Sequence, residues 1–391
     1  MSPTARLEPP ALPEVLAPTR ESFRRLATLE APGPTVVSCY VRLDLPDRSG
    51  NRYRLAAREA LRPMADLPLS HPEREAVRRD LERITTYLAD PQWLPPTPGM
   101  ALFACEALDL FAVLPLPRVT RTRAMLDVQP RAAEAAASAP DYAPILVGLI
   151  DRSHARFFRV GTDEVEELPC LIMPAHRGGK YHSDRADAPG WGEHDYHNRI
   201  REERHRHAAA VADQLAELLA GGSWLGIVLA GPARVIADQS RFLPHALQER
   251  LLQTVRLNPT AVTEGQLRQA ALAARGAALQ RRTRALVAEF RNALGTGWAV
   301  AGPRPALKAL ARGQARLLLV TAGVTGAGFR CGPGGPLVAV AADCRGQGEP
   351  ERVRDLADET IEEALRQRVE VALVDEPVAE LQGIGAVLRF R

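Results

Sequence analysis

The period of the hydrophobic pattern changes several times along the chain, and each change marks an element. "TVVSCYVRL" (35–43) is a β-branched run and predicts a buried strand. "RYRLAAREALRPMADL" is helical. In "EREAVRRDLERITTYLADP", Val77, Leu81, Ile84 and Leu88 step by four, three and four, one face of a second helix, which Pro91 stops. "GMALFACEALDLFAVLPLP" predicts two strands around a short turn, and "PRAAEAAASAPDYAP" a helix running into a linker. At 145 the pattern restarts. "ILVGLIDRSHARFFRV" predicts two strands joined by a polar turn at 151–153. Residues 194–220 predict a long helix with an inward line of Ile200, Ala208, Val211, Leu215 and Leu218, ended by Gly221-Gly222. "WLGIVLAGP" is an unbroken apolar run, the mark of a buried parallel strand. "SRFLPHALQERLLQTV" and 264–294 predict further helices.

A third stretch begins near 295. "PALKALARGQ" predicts a helix, "ARLLLV" and "PLVAVAAD" strands, and "ERVRDLADETIEEALRQ" a helix with Val353, Leu356, Ala357, Ile361, Ala364 and Leu365 on one face. "VEVALV" and "GIGAVLRF" predict two more strands. Strand and helix alternate throughout, so the expected fold class is α/β, in three α/β domains at 1–140, 141–285 and 286–391. The proline-rich start, to about residue 17, reads as a loose arm.

Composition narrows the class. Of 391 residues, 46% are apolar and 25% charged, ordinary for a chain with several cores. A net charge of +3 does not by itself announce a nucleic-acid binder. No apolar run reaches the ~18 residues of a membrane helix, and the start lacks the pattern of a signal peptide. The five cysteines are scattered, with no CxxC, which fits a reducing cytosol and a cytoplasmic protein. Cys331 and Cys344 flank a glycine-rich, hairpin-like stretch and read as two buried structural thiols.

Candidate chemistry concentrates in one segment. Of 50 basic residues only Lys180 and Lys308 are lysines, and Lys180 follows a glycine pair in "AHRGGKYHSD" (175–184). Residues 176–207 hold six of the nine histidines and seven Arg or Lys. A metal site is one reading, since His194 and His197 share a helix face at i and i+3. It lacks an HExxH pattern or a cysteine partner, and a catalytic zinc takes three protein ligands. No metal and no cofactor are expected. Ser183 beside His182 lacks a GxSxG elbow. RNA contact is the third reading. Gly178-Gly179 permits close backbone approach, Lys180 is flanked by Arg177, His182 and Arg185, and the helix behind shows Arg199, Arg201, Arg204 and Arg206 with Glu202 and Glu203 between them. A solvated helix face beside an ordinary surface loop is the plain alternative.

The order of short motifs adds a resemblance. "RGGK" is followed by "NRIREERHRHAAAVADQLAELL", then "GIVLAGP", and at the end "GIGAVLRF". This succession resembles the class-1 peptide-chain release factors of eukaryotes and archaea, with their relative Pelota. There a Gly-Gly-Gln loop precedes an Arg-rich helix and a strand ending Leu-Ala-Gly-Pro, and the third domain ends in a Gly-Ile-Gly-Ala strand. The resemblance runs from about 145 to 391. The N-terminal third lacks the Asn-Ile-Lys-Ser string that reads stop codons, and the layout looks more like the bacterial branch, which includes Balon-like hibernation factors.

The resemblance implies three α/β domains and a ribosomal partner. The N-terminal domain would face the decoding centre, and the middle domain would reach the peptidyl-transferase centre through the A site. The third domain would meet a translational GTPase, for which EF-Tu is the bacterial candidate. No membrane partner is implied. The implied RNA contacts are Arg177, Gly178, Gly179, Lys180, His182, Arg185, Arg199, Arg201 and Arg204. Lys180 stands where release factors carry the Gln that helps place the attacking water. A protonated Lys cannot accept a hydrogen bond, but it can meet a phosphate as a point charge. The expected role is ribosome hibernation or stalled-ribosome recognition, without stop-codon reading, peptide release or a catalytic residue. A peptidyl-tRNA hydrolase or tRNA-cleaving rescue factor is the enzyme alternative, and a His-rich metal-dependent hydrolase a second.

Overall fold

The computed structural model describes residues 12–119, 121–162, 164–172, 191–322, 324, 326–375 and 378–391, with backbone alone at 20, 140 and 191–200. The chain divides into two units, one formed by residues up to 140 together with 280–391, the other by 141–279. Both are α/β in character.

The N-terminal part of the first unit carries β1 (Glu14–Val15), α1 (Arg20–Thr28), β2 (Val36–Arg42), α2 (Leu45–Ser49), α3 (Arg52–Leu61), α4 (His71–Ala89), β3 (Gly99–Cys105), β4 (Leu110–Leu116), β5 (Arg123–Asp127) and α5 (Ala133–Ala137). Its sheet runs β1-β4-β3-β2-β5. Every residue of β3 and β4 is buried, as a run covered on both faces requires. A capping box between Ser70 and Glu73 starts α4, with Pro72 in its first turn. The proline-rich start is not loose throughout, because β1 pairs in parallel with β4, Glu14 opposite Ala112.

The second unit carries β6 (Ile145–Ile150), β7 (His154–Val160), β8 (Val165–Ile172), α6 (Trp191–Ala220), β9 (Gly226–Gly231), α7 (Ala233–Phe242), α8 (His245–Arg250), β10 (Leu251–Arg256) and α9 (Glu264–Gly295), which continues into the first unit. The sheet order is β10-β9-β6-β7-β8, and β9 is parallel to both neighbours. Val211, Ala212 and Leu215 of α6 pack with Ile236, Leu243 and Leu247 over Leu146, Ile150, Ile227 and Leu229. Leu267, Ala271 and Ala274 of α9 cover the opposite face. The helix expected over "SRFLPHALQERLLQTV" is corrected here. Two short helices end at Arg250, and "LLQTVR" is an edge strand, held by backbone bonds to β9 that no local pattern announces.

The first unit resumes with β11 (Ala299–Ala301), α10 (Pro303–Ala311), β12 (Ala315–Thr321), β13 (Gly328–Cys331), β14 (Leu337–Val338), β15 (Pro350–Val353), α11 (Leu356–Arg366), β16 (Glu370–Val374) and β17 (Ile384–Leu388). One sheet runs β11-β17-β12-β16, a second β14-β13-β15. Three expectations change. "ERV" belongs to β15, and α11 starts only at Leu356, where the Asp355 side chain caps the amides of Ala357 and Asp358. "PLVAVAAD" forms a two-residue strand followed by a short 3-10 turn at Ala341–Cys344. That turn carries Cys344 back to β13, Cα atoms 5.2 Å apart, so Cys331 and Cys344 form a disulfide rather than two thiols.

Within the first unit, the N-terminal and C-terminal parts meet through charge. Arg131 reaches Asp127 at 2.6 Å, Glu359 at 2.7 Å and Asp358 at 3.4 Å. Glu359 also holds Arg330 at 2.6 Å. Burial works against the Arg131 charge, yet these carboxylates outweigh it and raise its pKa. Burial pushes Asp358 up to about 7, with Arg131 pulling the other way. One of its carboxylate oxygens has no hydrogen-bond partner.

Candidate nucleic-acid interface

The strongest site lies in the second unit, at the carboxyl ends of β6 and β9. The strands end at Ile150 and Gly231, and the chain turns outward at Asp151–Ser153 and Pro232. Asp151 shapes its turn by accepting the amides of Ser153 and His154, each at 2.7 Å. Gly231 is required at its strand end. Its φ is +149°, and a Cβ there would lie 2.2 Å from the Ile150 carbonyl oxygen. Close approach of the two strand ends therefore sets the floor of the cleft.

Two helices wall it. On α6, Arg201, Arg204, His205 and Ala208 line the cleft at i, i+3, i+4 and i+7, one helical stripe. On α7, Arg234, Val235, Asp238, Arg241 and Phe242 do the same at i, i+1, i+4, i+7 and i+8. The space between is about 650 Å³. Arg152, Arg201, Arg204, Arg234 and Arg241 are all exposed, and none has a hydrogen-bond or ion-pair partner among the described residues. Among the described residues, two carboxylates share the cleft, Asp151 and Asp238. Five cations against two anions make it a place for an anionic partner.

The histidines of this region divide. His207 is buried, and its Nε2 lies 3.1 Å from the Asp151 carbonyl oxygen. A carbonyl only accepts, so Nε2 carries the proton. Burial lowers the His207 pKa, partly offset by that bond, which keeps the ring neutral. Its Nδ1 is closed off without a partner. His205 instead packs T-shaped with the Phe242 ring, centroids 4.5 Å apart. Among the described residues no three His, Cys, Asp or Glu side chains cluster as metal ligands do.

Of the expected contact residues, Arg201 and Arg204 stand together on the cleft wall. Arg199 lies in α6, but its side chain is outside the described residues, and Arg177, Gly178, Gly179, Lys180, His182 and Arg185 fall outside them entirely. Ser183, His194 and His197 are likewise beyond side-chain description. Sequence reasoning missed Arg152, Arg234, Arg241 and Phe242. Arg234, Arg241 and Phe242 stand at i, i+7 and i+8 of α7, a stripe that shows only once that helix is placed opposite α6.

This unit coincides with a known kind of segment. Residues 130–276 match the family described as bacterial archaeo-eukaryotic release factor family 10. That segment is therefore similar to the bacterial archaeo-eukaryotic release factors, the kind of protein to which the order of short motifs points. Among solved structures, the chain is similar to the archaeal translation termination factor aRF1, at 20% identity over 96% of this chain and 99% of that one, TM-score 0.26. It is also similar to Archaeoglobus fulgidus Pelota, at 14% identity over 75% and 80%, TM-score 0.37. S. cerevisiae Dom34 gives 10% identity over 72% and 74%, TM-score 0.38. No curated protein matches the chain. No helix among the described residues is long and apolar enough to cross a membrane.

Proposed function

We propose that the protein binds the ribosomal A site through its second unit and acts on idle or stalled ribosomes without releasing peptide. The observation that carries this reading is the coincidence of the release-factor family match at 130–276 with the unit whose cleft holds five arginines without a partner among the described residues. Ribosomal RNA supplies dense phosphate, and unpaired Arg is the side chain best suited to it. Lys180, next to Gly178-Gly179, would serve as a docking cation at the loop tip. It lacks the acceptor that positioning a hydrolytic water requires. EF-Tu is the proposed delivering GTPase.

Co-sedimentation with vacant 70S ribosomes tests the reading. Binding should be strong at low salt, fall steeply as salt rises, and be competed by A-site tRNA. Folded protein that fails to pellet at any salt would refute it. Peptide release from ribosomes carrying labelled peptidyl-tRNA should stay at background. Release that Lys180→Ala abolishes would instead make Lys180 catalytic and the protein a rescue hydrolase.

A further inference from the structure

The cleft offers more than charge. Phe242 is 42% exposed, whereas Phe103, Phe157 and Phe290 are fully buried. It sits at the last position of α7, in a T-shaped contact with His205 of α6. An exposed ring contributes little to the core. Here it stands among arginines that have no partner among the described residues, in a space within the ~300–1,000 Å³ that holds small-molecule-sized groups.

We propose that this cleft is a subsite for one unstacked nucleotide of single-stranded RNA. The base lies against Phe242, braced by His205, and the flanking phosphates meet Arg201, Arg204, Arg234 and Arg241. The proposal rests on the RNA-docking reading above and adds the form of RNA and the residues that sort it. A duplex keeps its bases stacked and offers the cleft only phosphates, so it would leave Phe242 unused. An acidic peptide would satisfy the arginines but has no flat π-face to lay on the ring. Single-stranded RNA uses both features at once, stacking on aromatics while its backbone follows the cations.

The test uses the full chain and a fluorescent eight-nucleotide oligoadenylate, with the same strand annealed to its complement as duplex control. Anisotropy is measured across a salt series. Wild type should prefer the single strand. Phe242→Ala should weaken single-strand binding about tenfold while leaving the slope of log K against log salt unchanged. Phe242→Trp should retain the affinity. Arg234→Glu with Arg241→Glu should flatten the slope, because each lost phosphate contact removes about 0.7 from it. Equal binding by wild type and Phe242→Ala would overturn the proposal, as would equal binding of duplex. A polyglutamate competitor as strong as oligoadenylate would also do so. If Phe242→Ala fails to fold, 4-thiouridine placed in the oligonucleotide decides the matter on wild type. Crosslinks within 201–208 or 234–242 support the subsite, and crosslinks confined elsewhere overturn it. Ribosome pelleting run in parallel separates the two readings. Intact pelleting with no Phe242 effect refutes only the subsite, and lost pelleting refutes the ribosomal reading.

Discussion

Two groups of arginines in this protein face opposite fates. In the first unit, Arg131 is 13% exposed at the side chain, and its guanidinium is enclosed by Asp127, Asp358 and Glu359. In the second unit, Arg201, Arg204, Arg234 and Arg241 are exposed and unpaired among the described residues. The residue type is the same, so the difference lies in what each charge meets. A buried charge must be matched by the protein itself, because desolvation costs more than any loose contact returns. A surface charge matched by the protein contributes little to stability. One left unmatched gives nothing to the fold and is free for a partner's anion. Arg131 thus ties the N-terminal and C-terminal parts of one unit together, and the cleft arginines are available to something outside the molecule.

The largest expected effect breaks the buried side of that contrast. Arg131→Met removes the cation and strands its carboxylates, which should cost about 3–5 kcal/mol in a denaturation experiment. Oligonucleotide binding per folded molecule should not change. If stability holds within ~0.5 kcal/mol, the cluster does not tie the two parts together. Next comes Gly231→Ala, which strains a φ of +149° and sets a methyl against the Ile150 carbonyl oxygen. A loss of roughly 2–4 kcal/mol is expected, with weaker RNA binding because the floor of the cleft moves. An unchanged melting temperature would show that the strand ends have slack.

The exposed side of the contrast is sharpened by Arg201→Glu with Arg204→Glu. Ribosome affinity at low salt should fall at least tenfold, with melting shifted by no more than ~0.5 kcal/mol, the usual range for surface changes. A large loss of stability with unchanged pelleting would reverse the assignment of roles.

The smallest effect is a pH dependence. Asp358 titrates at about 7 in the folded chain against an ordinary 3.8, because burial opposes its charge. Between those values the folded state holds a proton that the unfolded state has released. The stabilising contribution of this group is therefore complete below about pH 4 and lost as pH rises through about 7. Asp358→Asn keeps the shape without the titration. Its melting temperature should fall less than that of wild type from pH 5 to 8, with the mutant the more stable at pH 8. Parallel profiles would exclude Asp358 as the titrating group.

Much of the architecture was readable before any coordinates. The run at 35–43, the stepped apolar line of α4, the buried strand at "GIVLAG" and the two long helices all follow from repeat distances within single segments. The cleft was half readable. Arg201 and Arg204 stood out because they lie in a dense basic segment. Arg234, Arg241 and Phe242 did not, since each is unremarked in its own neighbourhood and gains meaning only across from α6.

Sequence alone therefore determined what depends on near neighbours: the α/β class, most element positions, and a motif order that marks the release-factor kind of segment. Hydrophobic period and capping act over a few residues, so one strand of text holds them. Tertiary structure decided what depends on distant partners. "LLQTVR" became a strand because β9 offered its backbone, where local composition permitted a helix. Cys331 and Cys344 became a disulfide because the turn at Ala341–Cys344 brought them together. Arg131 became a structural tie, and Arg241 a cation without a partner among the described residues, for the same reason. Whether a charge is paired depends on which carboxylates the fold delivers to it, and Glu359 reaches Arg131 from 228 residues along the chain.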